Sequence, residues 1–213
     1  MSISLADLRR EYTFGGLRRA DLLADPIAQF KKWFDEALRA EVLEPNAMTL
    51  ATANPQGEPT SRTVLLKAVD ERGFVFFTNY DSRKGKDLGG NPKAALTFYW
   101  RELERQVNVF GIGTKVSREE SEAYFHSRPL GSQYAAWAST QGAIVEGRNH
   151  LETKLAEIKK KYSTGKVPLP SYWGGYVVVP QAVEFWQGRP NRLHDRFQYL
   201  KKGDRWQVDR LSP

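Results

Sequence analysis

The sequence predicts a mainly β, α+β fold: an antiparallel barrel with helices inserted between its strands. Three observations carry that expectation. Six or seven β-rich runs recur at hairpin-like spacing, and turn-forming stretches such as "NPQGEP" at 54–59 separate them. Helical patterns interrupt the strands, whereas a doubly wound α/β sheet would need strand and helix to alternate throughout. The stretch from 47 to 80 is dense in strand residues.

The elements follow in order. Asp25 reads as N-cap and Pro26 as the first residue of a helix over 25–42, with Ile27, Phe30, Phe34 and Leu38 at helical spacing. "AMTLATA" at 47–53 and "TSRTVLLKAV" at 60–69 are β-rich, and "FVFFTN" at 74–79 is a short buried strand. "DSRKGKDLGGNP" at 81–92 is a short helix closed by Gly89, Gly90 and Pro92. "KAALTFYW" at 93–100 and "RQVNVFGIGTKV" at 105–116 form an antiparallel pair, the glycines of the second marking a bulge or a close backbone approach. A capping box, Ser117 with Glu120, opens the next helix, and another spans 132–139. A long helix over 146–162 lines up Leu151, Leu155, Ile158 and Tyr162. "VPLPSYWGG" at 167–175 is a rigid loop, and the remainder, at 176–188, 194–200 and 205–211, is strand.

At 213 residues with 40% hydrophobic content, one domain over 1–213 can bury a real core. Cysteine is absent, which rules out disulfides and thiolate zinc sites. The N-terminal stretch lacks the apolar segment of a secretory signal, and no apolar run nears the ~18 residues of a membrane span. The expected location is cytoplasmic. A net charge of +7 raises nucleic acid as a partner. The basic residues are dispersed, however, and the densest run, Lys159–Lys161, lies on a helix and reads as a solvated face.

Nucleotide-loop, nucleophile-elbow and paired-histidine metal patterns are missing, so a metal site is not expected. Anion sites are the recurring feature. "DSRKGK" sets Ser82, Arg83 and Lys84 at a helix N-terminus, where cations are unfavourable unless an anion compensates them. "SRTVLLK" adds Arg62 and Lys67 with opposite strand parity: one could be a surface residue, each could serve a different ligand, or a bulge could realign them. Tyr124, Arg128 and Ser132 offer further phosphate donors near a helix–loop junction. In "RLHDRF" at 192–197, strand alternation would put Arg192, His194 and Arg196 on one face.

These segments, together with "LRREYTFGGLRR", "FFTNYDSRKGK", "YFHSRP", "VPLPSYWGGY" and "EFWQG", run in order over nearly the whole chain. They resemble the pyridoxine/pyridoxamine 5′-phosphate oxidase family. The resemblance implies an FMN-binding split β-barrel, a homodimer with active sites at its interface, and FMN as cofactor. It implies oxidation of pyridoxine 5′-phosphate and pyridoxamine 5′-phosphate by O2 to pyridoxal 5′-phosphate, with H2O2 released and NH3 from the amine, by hydride transfer from C4′ to flavin N5. It assigns FMN contacts to Arg62, Thr63, Val64, Leu65, Leu66, Lys67, Phe77, Thr78, Arg83, Lys84, Gln106, Gln141, Gly142, Trp186 and Arg196. Lys67, Tyr124, Arg128 and Ser132 match the substrate-phosphate cradle. Arg192 and His194 match the residues beside the reacting ring, as catalytic and substrate-binding groups. Arg9 and Tyr12 match an N-terminal segment, 1–24, that is mobile and can cover the site. Gly142 departs from a serine common in the family and leaves only a backbone N–H as donor there. Two other classes compete: a non-catalytic flavin or pyridoxal-phosphate carrier, which intact Arg192 and His194 oppose, and a basic nucleic-acid-binding barrel, which dispersed charge opposes.

Overall fold

A computed structural model describes residues 11–13 and 15–213. The first helix, α1 (Pro26–Arg39), starts as expected: the Asp25 carboxylate accepts a hydrogen bond from the Ala28 N–H at 2.8 Å. Its buried side carries Ile27, Phe30 and Trp33, while Leu38 is 52% exposed and falls off the predicted stripe. Strands β1 (Ala47–Ala53), β2 (Pro59–Leu65), β3 (Ala68–Asp70) and β4 (Gly73–Asn79) follow. The single run read over 60–69 is two strands, because Leu66 N–H turns back to the Asn46 carbonyl and Lys67 N–H bonds to Val75. β2 therefore pairs with β1, and β3 with β4.

Helix α2 (Arg83–Gly90), β5 (Lys93–Trp100) and β6 (Arg105–Lys115) come next, then α3 (Arg118–Ser127), α4 (Leu130–Ala138) and α5 (Arg148–Lys161). Ser117 Oγ accepts from the Glu120 N–H at 3.0 Å, which is half of the capping box. The Glu120 carboxylate instead takes two hydrogen bonds from Arg72. Strand β7 (Trp173–Gln187) begins three residues before the sequence places it, and β8 (Asp195–Lys202) and β9 (Arg205–Leu211) close the chain.

Among the described residues, nine strands form one antiparallel sheet in the order β2-β1-β5-β6-β7-β4-β3, with β8 on β7 and β9 on β8. The 15-residue β7 pairs with β4 through its first half and β8 through its second, and β6 runs along its other edge. The β6–β7 register shifts between Phe110 and Gly111; a side chain at Gly111 would sit 2.3 Å from the Val179 carbonyl oxygen, so the glycine marks both a bulge and a close approach.

The sheet curls around α1. Phe30 meets Phe74 and Phe98 at 4.9 Å, and Trp33 meets Phe185 edge-on at 5.1 Å. Each such buried aromatic stabilises the fold by about 2–3 kcal/mol. Arg105 stacks over Trp33 at 4.3 Å and pairs with Glu36, which ties α1 to β6. A second core of Phe125, Tyr134, Val167, Leu169 and Trp173 holds α3 and α4 to the start of β7, with Leu155, Ile158 and Tyr162 packed against it. Leu151, expected on that stripe, is outside the cluster. On the sheet face away from α1, Tyr99 is 54% and Phe110 43% exposed.

Gly85 shows how closely α2 is seated. A Cβ there would lie 2.1 Å from the Tyr80 carbonyl oxygen, which is backbone and has nowhere to move. Gly85→Ala should destabilise the fold by about 2 kcal/mol or more, read as a lower urea midpoint at unchanged slope.

Candidate active site

β2, β4, the N-terminus of α2, the end of α3, α4 and the start of β7 together line a cavity of about 680 Å³. A volume of this size suits a cofactor or substrate. Arg62, Thr63, Val64 and Leu65 line it from β2, Phe77 and Thr78 from β4, and Arg83 and Lys84 from α2. Lys67 lines it from the break between β2 and β3, so the break gives Arg62 and Lys67 a common cavity despite their opposite parity. Tyr124, Arg128, Gln141 and Gly142 complete it. Leu66 does not line it: its side chain is buried in the α1 core. Ser132 stands in the first turn of α4 and is also outside the lining.

The cations are held in place before any ligand arrives. Arg62 donates to the Leu50 carbonyl, to Thr52 Oγ1 at 2.7 Å and to Thr60 Oγ1, and both threonine hydroxyls donate to the buried Asp87 carboxylate. Asp87 is itself 4.0 Å from Arg62. Ser82 caps α2 through the Gly85 N–H, and Lys84 Nζ donates to Ser82 Oγ and Gln141 Oε1, each at 3.2 Å. Lys84 is 8% exposed, with neutral hydrogen-bond acceptors. Burial, and secondarily the nearby Arg62, lowers its pKa. Arg128 lies over Trp173 at 4.7 Å and over Phe125 at 5.6 Å. Its Nη1 is buried with no hydrogen-bond partner among the described residues, and burial lowers its pKa against an opposing pull from Tyr124. Buried cations whose charge is not balanced among the described residues are chemistry suited to an anion.

Trp173 was not legible as a site residue, because the loop reading of 167–175 took in the first three residues of β7. It is 7% exposed, lines the cavity, and lies nearly parallel to Tyr124, with Phe77 stacked on Tyr124 at 3.9 Å. Flat aromatic walls beside fixed cations suit a planar phosphorylated ligand.

A second cluster lies outside that cavity. Gln106, Trp186 and Arg196 share one row across β6, β7 and β8. Arg196 is committed to a bidentate pair with Glu184, at 2.9 and 3.1 Å, and to the Ser212 carbonyl. His194 packs against Trp186 at 4.6 Å, and Tyr12 meets both rings edge-on at 5.5 Å. Arg9 lies outside the described residues.

The extended reading of "RLHDRF" is corrected here. Pro190–Arg192 form a 3-10 turn, Asn191 and Arg192 take left-handed φ of 56° and 61°, and β8 begins only at Asp195. Proline and asparagine favour that turn, and two successive left-handed residues break the strand alternation. Arg192 and His194 therefore project from a strained loop, a state that structures retain chiefly at functional sites.

The comparisons with known proteins agree with this geometry. The pyridoxamine 5′-phosphate oxidase family model matches residues 34–162, and the model for the pyridoxine 5′-phosphate oxidase C-terminal dimerisation region matches 173–213. The pyridoxine/pyridoxamine 5′-phosphate oxidase of Cupriavidus taiwanensis is 58% identical over 210 residues, covering 98% of this chain and 99% of its own. That of Rubrobacter xylanophilus is 56% identical, covering 98% and 96%. Among solved structures, PhzG from Burkholderia lata 383 superposes with a TM-score of 0.86 at 32% identity, over 91% of this chain and 95% of its own. A pyridoxamine 5′-phosphate oxidase-related, FMN binding protein from Nostoc punctiforme gives 0.70 at 16% identity, over 90% and 100%, and shares the split-barrel fold. Across both of its matched segments, the chain belongs to the pyridoxine/pyridoxamine 5′-phosphate oxidase family of oxidoreductases.

Proposed function

We propose that the protein oxidises pyridoxine 5′-phosphate and pyridoxamine 5′-phosphate to pyridoxal 5′-phosphate, with FMN as cofactor and O2 as the final acceptor, releasing H2O2 and, from the amine, NH3. The observation that carries this reading is one cavity lined by five cationic side chains, Arg62, Lys67, Arg83, Lys84 and Arg128, enough to meet two ligand phosphates. Arg62 on β2, together with Arg83 and Lys84 at the start of α2, suits the FMN phosphate, where helix N–H groups add to the positive field. Lys67, Tyr124 and Arg128 suit the substrate phosphate. FMN, when bound, supplies the acceptor for the hydride leaving C4′ and passes the electrons to O2.

The chain's own residues bind and orient. Prearranged donors on Arg62 and Lys84 require little reorganisation on binding, and Arg128 brings an unsatisfied N–H to an incoming phosphate. Arg192 and His194 orient the substrate ring, and Tyr12 covers it from the N-terminal side. Neither group lines the cavity of its own chain, which favours a homodimer in which one copy's loop faces the other copy's cavity. Phe110, 43% exposed on the sheet face away from α1, suits such an interface.

The test is an absorbance spectrum of the purified protein followed by an oxygen-electrode assay with both phosphorylated vitamers. The reading expects a yellow protein that consumes O2 with either substrate. A protein that neither retains nor takes up FMN, or a flavoprotein inert toward both vitamers, would sink it.

A further inference from the structure

The hydrogen bonding of His194 fixes more than its orientation. A neutral imidazole has one N–H donor and one bare acceptor nitrogen, and the partner of one nitrogen decides the state of the other. The backbone N–H of Arg189 donates to His194 Nδ1 at 3.1 Å. That nitrogen must therefore be bare, and the proton of the neutral ring sits on Nε2. We infer that His194 is held in its Nε2–H tautomer and serves as a hydrogen-bond donor to an oxygen of the bound substrate, and not as a base that withdraws a proton.

Three further features hold the ring in that state. The loop that presents it is closed at both ends, by Gly188 N–H to the Glu104 carbonyl at 2.8 Å and Leu193 N–H to the Pro190 carbonyl at 3.2 Å. Trp186 and Tyr12 flank the ring, so a rotation that exchanged its two nitrogens would have to displace an aromatic contact. Protonating the ring would set a second N–H against that of Arg189 and put a new cation beside Arg192 and Arg196. Burial first, then those two arginines, lower the His194 pKa from its ordinary value of 6.5. The Glu184 carboxylate that faces this cluster is already engaged by Arg196. Among the described residues, Nε2 has no hydrogen-bond partner, so its proton is the one left to offer.

The inference rests on the proposed function for the acceptor, which is the 3-oxygen of the substrate's pyridine ring. The tautomer itself is read from the protein alone. The chain has only three histidines, so nitrogen-15 NMR of ligand-free protein, assigned against His194→Gln, resolves this ring. At pH 7 the expected pattern is a proton on Nε2 only; a proton on Nδ1, or on both nitrogens, would overturn the assignment. Kinetics then separates donor from base. The amide nitrogen of His194→Gln can reach the Nε2 position, whereas that of His194→Asn is confined near Nδ1. The donor role predicts that the Gln variant keeps kcat/KM within about 10-fold of wild type while the Asn variant loses about 100-fold, with flavin content equal in both. Equal, severe losses in the two variants would refute it. Wild-type protein with the expected tautomer and no activity toward either vitamer would overturn the functional reading while upholding the tautomer.

Discussion

Arg128→Ala will lower kcat/KM for both phosphorylated vitamers by about 100-fold or more, mainly through KM, while the protein keeps its flavin. Arg128 lies over Trp173 and Phe125, and its buried Nη1 lacks a partner within the described residues. A substrate phosphate would supply that partner as a charge-assisted hydrogen bond in a partly desolvated site. Truncating one member of such a pair costs roughly 2–5 kcal/mol, because the remaining charge is left buried and unpaired. Flavin is spared because the cations assigned to its phosphate sit on other elements, β2 and α2. Steady-state kinetics with both vitamers, and the ratio of flavin to protein absorbance, check the two halves of the expectation. An unchanged KM would move the substrate phosphate elsewhere.

Arg192→Ala will have the complementary effect: turnover falls by about 100-fold or more and flavin retention holds. Arg192 stands in a loop apart from Arg62, Arg83 and Lys84, the cations assigned to the cofactor phosphate. It sits at φ 61° in the loop that carries His194, and backbone strain at a non-glycine residue is retained where it positions a side chain for use. Arg192→Lys keeps the charge but loses the planar fork, so it should recover only part of the rate. Equal loss of flavin and turnover in Arg192→Ala would show that the division of labour between cavity and loop is wrong.

Local signals made much of this molecule legible. Asp25 and Pro26 announce α1, and cations at the first turn of α2 announce an anion, because a helix N-terminus repels them otherwise. Signals that depend on distant partners were not legible. Thr52, Thr60 and Asp87 come from three elements to fix Arg62, and no one of them looks special in its own segment. Trp173 gains its meaning from Tyr124 and Arg128, which are some 45 to 49 residues earlier in the chain. The alternation in "RLHDRF" misled because period-two spacing also occurs in a turn, and "RPN" just before it held the contrary signal. A motif read in one dimension also gathers Arg128 and Arg192 into a single site, whereas one folded chain puts Arg128 in the cavity and Arg192 in a separate loop.

That separation makes the central claim directly testable, because a site shared between two copies can be rebuilt from two damaged ones. Arg128→Ala and Arg192→Ala subunits, each nearly inactive alone, are to be unfolded together in equal amounts, refolded with FMN and assayed with pyridoxine 5′-phosphate. If one copy's Arg128 works with the other copy's Arg192, each mixed dimer contains one intact site and one doubly altered site. Half of randomly paired dimers are mixed, so the preparation should recover about a quarter of the activity of wild-type protein treated the same way. If both arginines of a site come from the same chain, every site in the mixture carries one substitution and activity stays at the level of the separate variants, which would contradict the account.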